Sequence, residues 1–373
     1  MIRTPAGFGG EDRIKRYLDY YQPSYGVMML SAGQFSPALL FAAGEQGAWY
    51  DPSDFTTMFQ DSAGTTPVTA VEQPVGRILD KSGRGNTATQ ATPASCPVLS
   101  ARVNQLLATA TLSTQSVTTL AATYTLSFSG AGTVTASGTN IGVYTAGSNS
   151  LVCTAGTLTL TVVGSVTFAD LRVTNDGVGL PAYQRVTTST DYDTTGFPYY
   201  LRFDGTDDSL ATATFTPGTN KVQLFAGIRK TAGTNAAFAE TSVNGGSNAG
   251  TISLFAPATT ADYFFRSRGS ASNPGVSFSA PQTLPITNVV SGLGDIAGDS
   301  MLLRLNGTQV GSSSSDQGTG NFLAYPLYIG RRGGTTLPFN GRIYSLIIRF
   351  GANLDATTIS NTETWVNART MAY

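Results

Sequence analysis

Between Arg102 and Asp170 the chain carries no Asp, Glu, Lys or Arg. A segment this long and uncharged cannot rely on ion pairs, and its Thr, Ser, Gly and Ala disfavour a stable helix. Alternation is explicit in Thr123–Ser129, Gly132–Ala136 and Thr157–Val162, where Thr or Ser occupies one parity and Leu, Phe or Val the other. That is the period of two of a half-buried strand, so the segment predicts a small β-sandwich of its own. Low-complexity disorder is the competing reading, and the aromatic residues at alternating positions argue against it. An uncharged surface is easier to understand if neighbours cover it in an assembled particle.

The second ordering feature is Tyr199–Leu210. Tyr200, Arg202 and Asp204 fall on one side and Leu201, Phe203 and Gly205 on the other. Asp204-Gly205 then turns the chain and Asp207-Asp208 place charge at the corner. Strands are predicted beyond it at Val222–Arg229, Thr251–Phe255, 262–268, Ser300–Leu305, Thr308–Val310, Pro326–Gly330 and Gly341–Arg349. Asn306-Gly307 suits a two-residue hairpin turn, because both positions then need positive φ. A closing helix is expected over 355–370, capped by Asp355, with Ile359, Trp365 and Val366 as its apolar side.

Upstream, 11–21 has helical spacing with Ile14, Tyr17, Leu18 and Tyr21 on one side, and Pro23 stops it. Arg13, Tyr17, Tyr20, Tyr21 and Tyr25 make a short aromatic element that either docks on its own domain or anchors the chain to a partner. A second short helix is expected at 37–43, with Ser36 as cap and Gly44 as stop.

Charge narrows the functions. Lys plus Arg is 22 against Asp plus Glu 23, which gives no general attraction to nucleic acid or an anionic membrane. No apolar run approaches the roughly 18 residues of a membrane-spanning helix, and residues 1–25 lack a signal-peptide core, so cytoplasmic synthesis without ordinary export is expected. Histidine is absent and the glutamates are Glu11, Glu45, Glu72, Glu240 and Glu363, which lowers the expectation of acid–base catalysis. Gly83-Arg84-Gly85 lacks the lysine ending of a phosphate loop and reads as a surface loop. Cys96 and Cys153 read as small buried hydrophobes, with a disulfide between them left open.

Phe203–Leu210, the Asn306-Gly307 hairpin, Leu327–Gly330 and Phe339–Tyr344 resemble the concanavalin A-like, laminin G-like jelly-roll domains. With Trp49–Asp54, Leu79–Asn86 and the closing Trp365-Val366-Asn367, the order is similar to the version found in structural proteins of tailed bacteriophages and prophages. The resemblance implies a mainly β protein: an N-terminal anchoring segment with short helices (1–46), a discontinuous jelly roll (47–100 and 180–373) and the uncharged β-sandwich inserted at 101–179. It implies a non-enzymatic virion protein, assembled in the bacterial cytoplasm, and in particular a tail-associated fibre, tip or adhesin subunit. Its expected partners are other virion proteins, a host-surface glycan or protein, and copies of itself, a trimer by analogy with fibres. A capsid decoration or head-fibre protein is the first alternative and a polysaccharide-degrading enzyme the second. Hydrolases of this fold carry Glu-x-Asp-x-x-Glu, supplying two carboxyl groups roughly 5 Å apart, and no glutamate here sits in that pattern. No catalytic residue, metal site or cofactor is therefore expected. Asp204, Asp207 and Asp208 could share a cation, but turn chemistry is the favoured reading of these three.

Overall fold

A computed structural model describes residues 35–257, 263–271, 274–278, 280 and 282–373. The chain divides into two units, Met1–Phe35 and Ser36–Tyr373. The expected helix at 11–21 and the anchor residues Arg13, Tyr17, Tyr20, Tyr21 and Tyr25 lie outside the described residues.

Among the described residues the larger body is a sandwich of an eight-stranded and a nine-stranded antiparallel sheet, a jelly-roll layout. In the first sheet, Lys221–Lys230 and Asn340–Phe350 are the central pair, flanked by Ile286–Asp295 on one side and Tyr200–Asp204 on the other. Gln46–Tyr50 also pairs with Asn340–Phe350. In the second sheet the order runs Val276–Phe278, Tyr263–Arg268, Thr251–Ala256, Ala236–Thr241, Leu327–Ile329 and Leu210–Thr212, ending in three two-residue strands at 58–89. Alternate residues of both sheets fill one core, with Phe203 and Phe238 meeting Phe339 at ring distances of 6.1 and 6.0 Å. Such aromatic contacts add specific geometry to the burial of apolar area that drives the sandwich shut.

The jelly roll is interrupted. Val98–Ser100 pairs directly with Tyr200–Asp204, so the chain leaves the sheet at Ser100 and rejoins it one strand away. Between them stands a second sandwich, a three-stranded sheet packed on a four-stranded one. Its strands include Ala122–Ser129, Thr133–Gly138 and Gly156–Val163, and its separate core is built from Tyr124, Leu126, Phe128, Leu158, Leu160 and Leu171. Threonine and serine hydroxyls pair across it, Ser116 with Thr159 at 2.9 Å and Thr119 with Thr139 at 2.8 Å. Cys96 and Cys153 are buried and unbridged, one in each sandwich.

The junction is tied by two fully buried amides. Asn104 donates to the carbonyls of Ala169 and Gln184 and accepts from the amides of Leu106 and Leu171. Gln184 accepts from Val103 and Asn104 and donates to Ala101 and Asp193. Each amide thus uses its full hydrogen-bonding capacity, which is what permits burial of so polar a seam. Just beyond the insert's last strand, buried Asp176 meets Arg342 at 2.5 Å and Arg229 at 3.3 Å on the central strands of the first sheet.

The closing helix α1 spans Ala356–Thr370 with Asp355 as its cap. Its buried residues are Thr362, Glu363, Val366 and Thr370, whereas Ile359 and Trp365 are half-exposed, so the expected apolar side holds only at Val366. The face is polar because the sheet beneath offers partners: Glu363 takes bonds from Arg304 and Ser291. Gly227 lets the helix approach closely, since a Cβ there would lie 1.8 Å from the Thr370 hydroxyl.

Candidate functional site

The Asp204–Asp208 corner forms as a turn. Gly205 adopts φ +79°, and a Cβ on it would collide with Asn340. Asp204 accepts from the amide of Thr206 at 2.7 Å, Asp208 accepts from the amide of Asp204 at 2.9 Å, and Asp207 accepts the Ser95 hydroxyl at 2.7 Å. One oxygen from each of the three carboxylates lies within 4.8 Å of the others. Burial, reinforced by the charges of Asp204 and Asp207, pushes the Asp208 carboxyl up to about 6. All three aspartates are therefore in use locally, and their closeness is a compact turn's crowding as much as a set of oxygen donors.

Asp204 also stands on the rim of a groove of about 570 Å³ at the junction of the two sandwiches. One wall is the entry to the insert, with Arg102, Gln105 and Ser116; the other is the jelly-roll edge, with Arg202, Thr231 and Asn340. Arg202 is half-exposed and pairs with Glu72 at 3.2 Å. Glu72 itself accepts the Tyr192 hydroxyl at 2.8 Å. Arg102 is spent on the wall, donating to the carbonyls of Asn104, Gln105 and Leu106. The groove is thus lined by amides, hydroxyls and apolar side chains together with Arg102, Arg202, Arg342 and Asp204, a set of donors and acceptors that match a polyhydroxylated ligand.

The described glutamates, by contrast with the aspartate corner, are all engaged in ion pairs. Each of the four described glutamates is held by an arginine: Glu45 by Arg349, Glu72 by Arg202, Glu240 by Arg332 and Glu363 by Arg304. Sequence alone shows that glutamates are few but not that each is engaged, because the partners lie between 59 and 304 positions away. The groove was equally hidden, since its walls come from segments joined only by folding. Its sequence signals are Arg202 and Asp204, alternating outward on one strand whose other residues are buried.

No protein-family model matches the sequence, and no curated protein does. Solved structures give distant likenesses. The binding domain of botulinum neurotoxin DC in complex with SialylT is similar at 14% identity and a TM-score of 0.35, over 46% of this chain and 43% of that one. The CBM40 of Ruminococcus gnavus IT-sialidase bound to alpha2,3 sialyllactose matches at 14% identity and 0.33, over 43% and 94%. Trypanosoma rangeli sialidase with the inhibitor DANA matches at 13% and 0.35, over 44% and 27%. The match thus spans under half the length of the first of these chains.

Proposed function

We propose that this chain is a non-enzymatic attachment subunit of a bacteriophage particle, tail-associated, anchored through its N-terminal unit and contacting a host-surface glycan or protein with its β-sandwiches. The junction groove carries the attachment part of this reading: it is sized for a few sugar rings, lined with hydrogen-bonding side chains both neutral and charged, and framed by two independently cored bodies that hold its walls apart. Engagement of the described glutamates with arginines and of the aspartate triad in a turn supports binding without hydrolysis. The virion part rests on the order of motifs from Trp49–Asp54 to Trp365–Asn367. Individual contacts of this kind are weak, and several copies on one particle would multiply them.

Two measurements test the reading. Purified chain should bind host cells, and Arg202→Ala combined with Asn340→Ala should remove most of that binding while leaving Tm within a few degrees; undiminished binding would move the site elsewhere. A chain lacking residues 1–35 should fold and bind cells but fail to enter particles, and normal incorporation would refute the anchor. The deletion stops at residue 35 because Leu40 and Glu45 are bonded to Arg349 in the jelly roll. Release of reducing ends from host polysaccharide would overturn the non-enzymatic part, and hundreds of copies per particle would overturn the tail location.

A further inference from the structure

The insert's wall of the junction groove is the free edge of a sheet. In the four-stranded sheet of the insert, Gln115–Thr119 is an end strand, bonded to Gly156–Val163 on one side only. The direction of each main-chain group follows from the ladder. The Thr157 carbonyl accepts the Thr139 amide on the Thr133–Gly138 side, and the Val162 amide donates to the Thr114 hydroxyl on the other. Successive residues of a strand point their N–H and C=O to opposite sides, so Leu158 and Leu160 bond their register partners Val117 and Gln115. Ser116 and Thr118 therefore point their N–H and C=O away from the sheet, and among the described residues no main-chain partner meets them.

That edge looks into the groove. A sheet face would show alternate residues, whereas Gln115, Ser116, Val117 and Thr118 line the groove in succession. Exposed edges are ordinarily guarded by a charge, a proline or a bulge. This strand has no charge and no proline, and its register with Gly156–Val163 does not shift. At its start the edge already holds a neighbour: the Gln115 side-chain amide accepts from the Leu107 N–H and donates to the Leu107 carbonyl, both at 3.0 Å. What stands over the rest is the jelly-roll wall with Arg202, Asp204 and Asn340.

The shape selects the occupant. Strand rise, strand spacing and sheet spacing allot roughly 160 Å³ to each residue, so the groove takes about three or four residues of one extended segment. A groove of about 570 Å³ has no room for the edge of a second folded sheet. A sugar can use an amide or a carbonyl singly, but N–H and C=O pairs repeating every second residue, roughly 7 Å apart, are matched by another extended backbone. Arg202 and Asp204, both outward on their strand, offer the segment's side chains a charge of each sign. The complement is a segment bearing both signs and not a polyanion.

We infer that the groove binds an extended segment of a host-surface protein, which adds to the insert as a fifth strand along Gln115–Thr119. The host source rests on the attachment reading, and the strand pairing stands on the free edge alone.

Octapeptides selected from a random library on the immobilised full chain are the probes. Methylating alternate backbone nitrogens of a selected peptide should abolish binding in one register and spare it in the other. Thr118→Pro removes an outward N–H without touching the ladder and should weaken binding about tenfold, whereas Thr118→Ala keeps the main chain and should stay within about twofold. Tm is recorded for each variant, and Ser116→Pro carries the test if Thr118→Pro fails to fold. A library that yields no binder, equal effects of methylation in both registers, or a proline variant that folds and binds like wild type would each overturn the inference. On host cells, protease treatment should remove binding of the chain and periodate should spare it, and the reverse would make a glycan the groove's ligand and overturn the inference. A chain that binds no host cell would refute the attachment reading, and with it the host source, while the peptides still decide the strand pairing.

Discussion

The inserted sandwich and the larger jelly roll use the same antiparallel ladders but are held by different side chains. From Val103 to Ala169 the insert has no charge to pair, so its strands are joined by an apolar core and by hydroxyls such as Thr119 and Thr139. The jelly roll buries Arg229, Arg349 and Lys230 and satisfies the arginines with Asp176, Glu45 and backbone carbonyls. A hydroxyl pair is worth little and costs little, whereas a buried charge is worth much only while its partner remains. Apart from the Asp170–Arg172 pair on its last strand, the insert should therefore respond less to pH and salt than the jelly roll does.

The sharpest way to break this contrast is to remove the carboxylate shared by both bodies. Asp176→Asn leaves Arg229 and Arg342 without a counter-charge and should cost about 3–5 kcal/mol, read as loss of the main thermal transition at its wild-type temperature. Next in size, Leu126→Ala or Leu158→Ala should destabilise the insert by about 2–5 kcal/mol through a core cavity. If the two cores are independent, calorimetry will show the insert melting first with the jelly-roll transition unmoved, and a single shifted transition would show that they are coupled.

Lys230 gives a gain instead of a loss. Its ammonium is buried over the Phe339 ring at 5.4 Å, has no hydrogen-bond partner, and burial lowers its pKa to about 8. The fold therefore favours the neutral amine, and stability should rise as pH climbs from about 8 towards the ordinary lysine value. Lys230→Met should stabilise the protein at pH 7, on the order of 1–3 kcal/mol, and abolish that rise. Asp208 behaves as a raised carboxyl: the folded state holds its proton up to about pH 6 while the unfolded state releases it near 4, so stability is lost as pH rises through that window. Asp208→Asn should raise Tm above pH 6 and leave it unchanged near pH 4. The smallest effect is expected in the insert, where Thr119→Val should shift stability by about 1 kcal/mol or less at any pH between 4 and 8.

Much of the strand pattern was legible because each strand declares itself locally. Ala122–Ser129 and Gly156–Val163 alternate as expected, and Asn306 and Gly307 take the positive φ values, 49° and 78°, that their identities suggested. The 37–43 helix appears as a short 3-10 turn, Pro37–Phe41, capped by Ser36 as expected. The closing helix was legible in extent but not in orientation. Its buried Glu363 and Thr370 read as solvent-facing residues until Arg304 and Gly227 are brought beneath them.

By itself the sequence determined what depends on neighbours along the chain: alternating strands, turn residues, helix caps, an uncharged middle and the scarcity of acid–base groups. Only the tertiary structure decided what depends on neighbours in space. It closed the jelly roll by pairing Val98–Ser100 with Tyr200–Asp204, engaged each described glutamate with a distant arginine, and opened the junction groove. Hydrogen bonding and charge act over a few ångströms, and along an extended strand that distance reaches only the next residue or two. The uncharged stretch between Arg102 and Asp170 was visible at once, but its role as one wall of a groove existed only after Asn104 and Gln184 had locked it against the jelly roll.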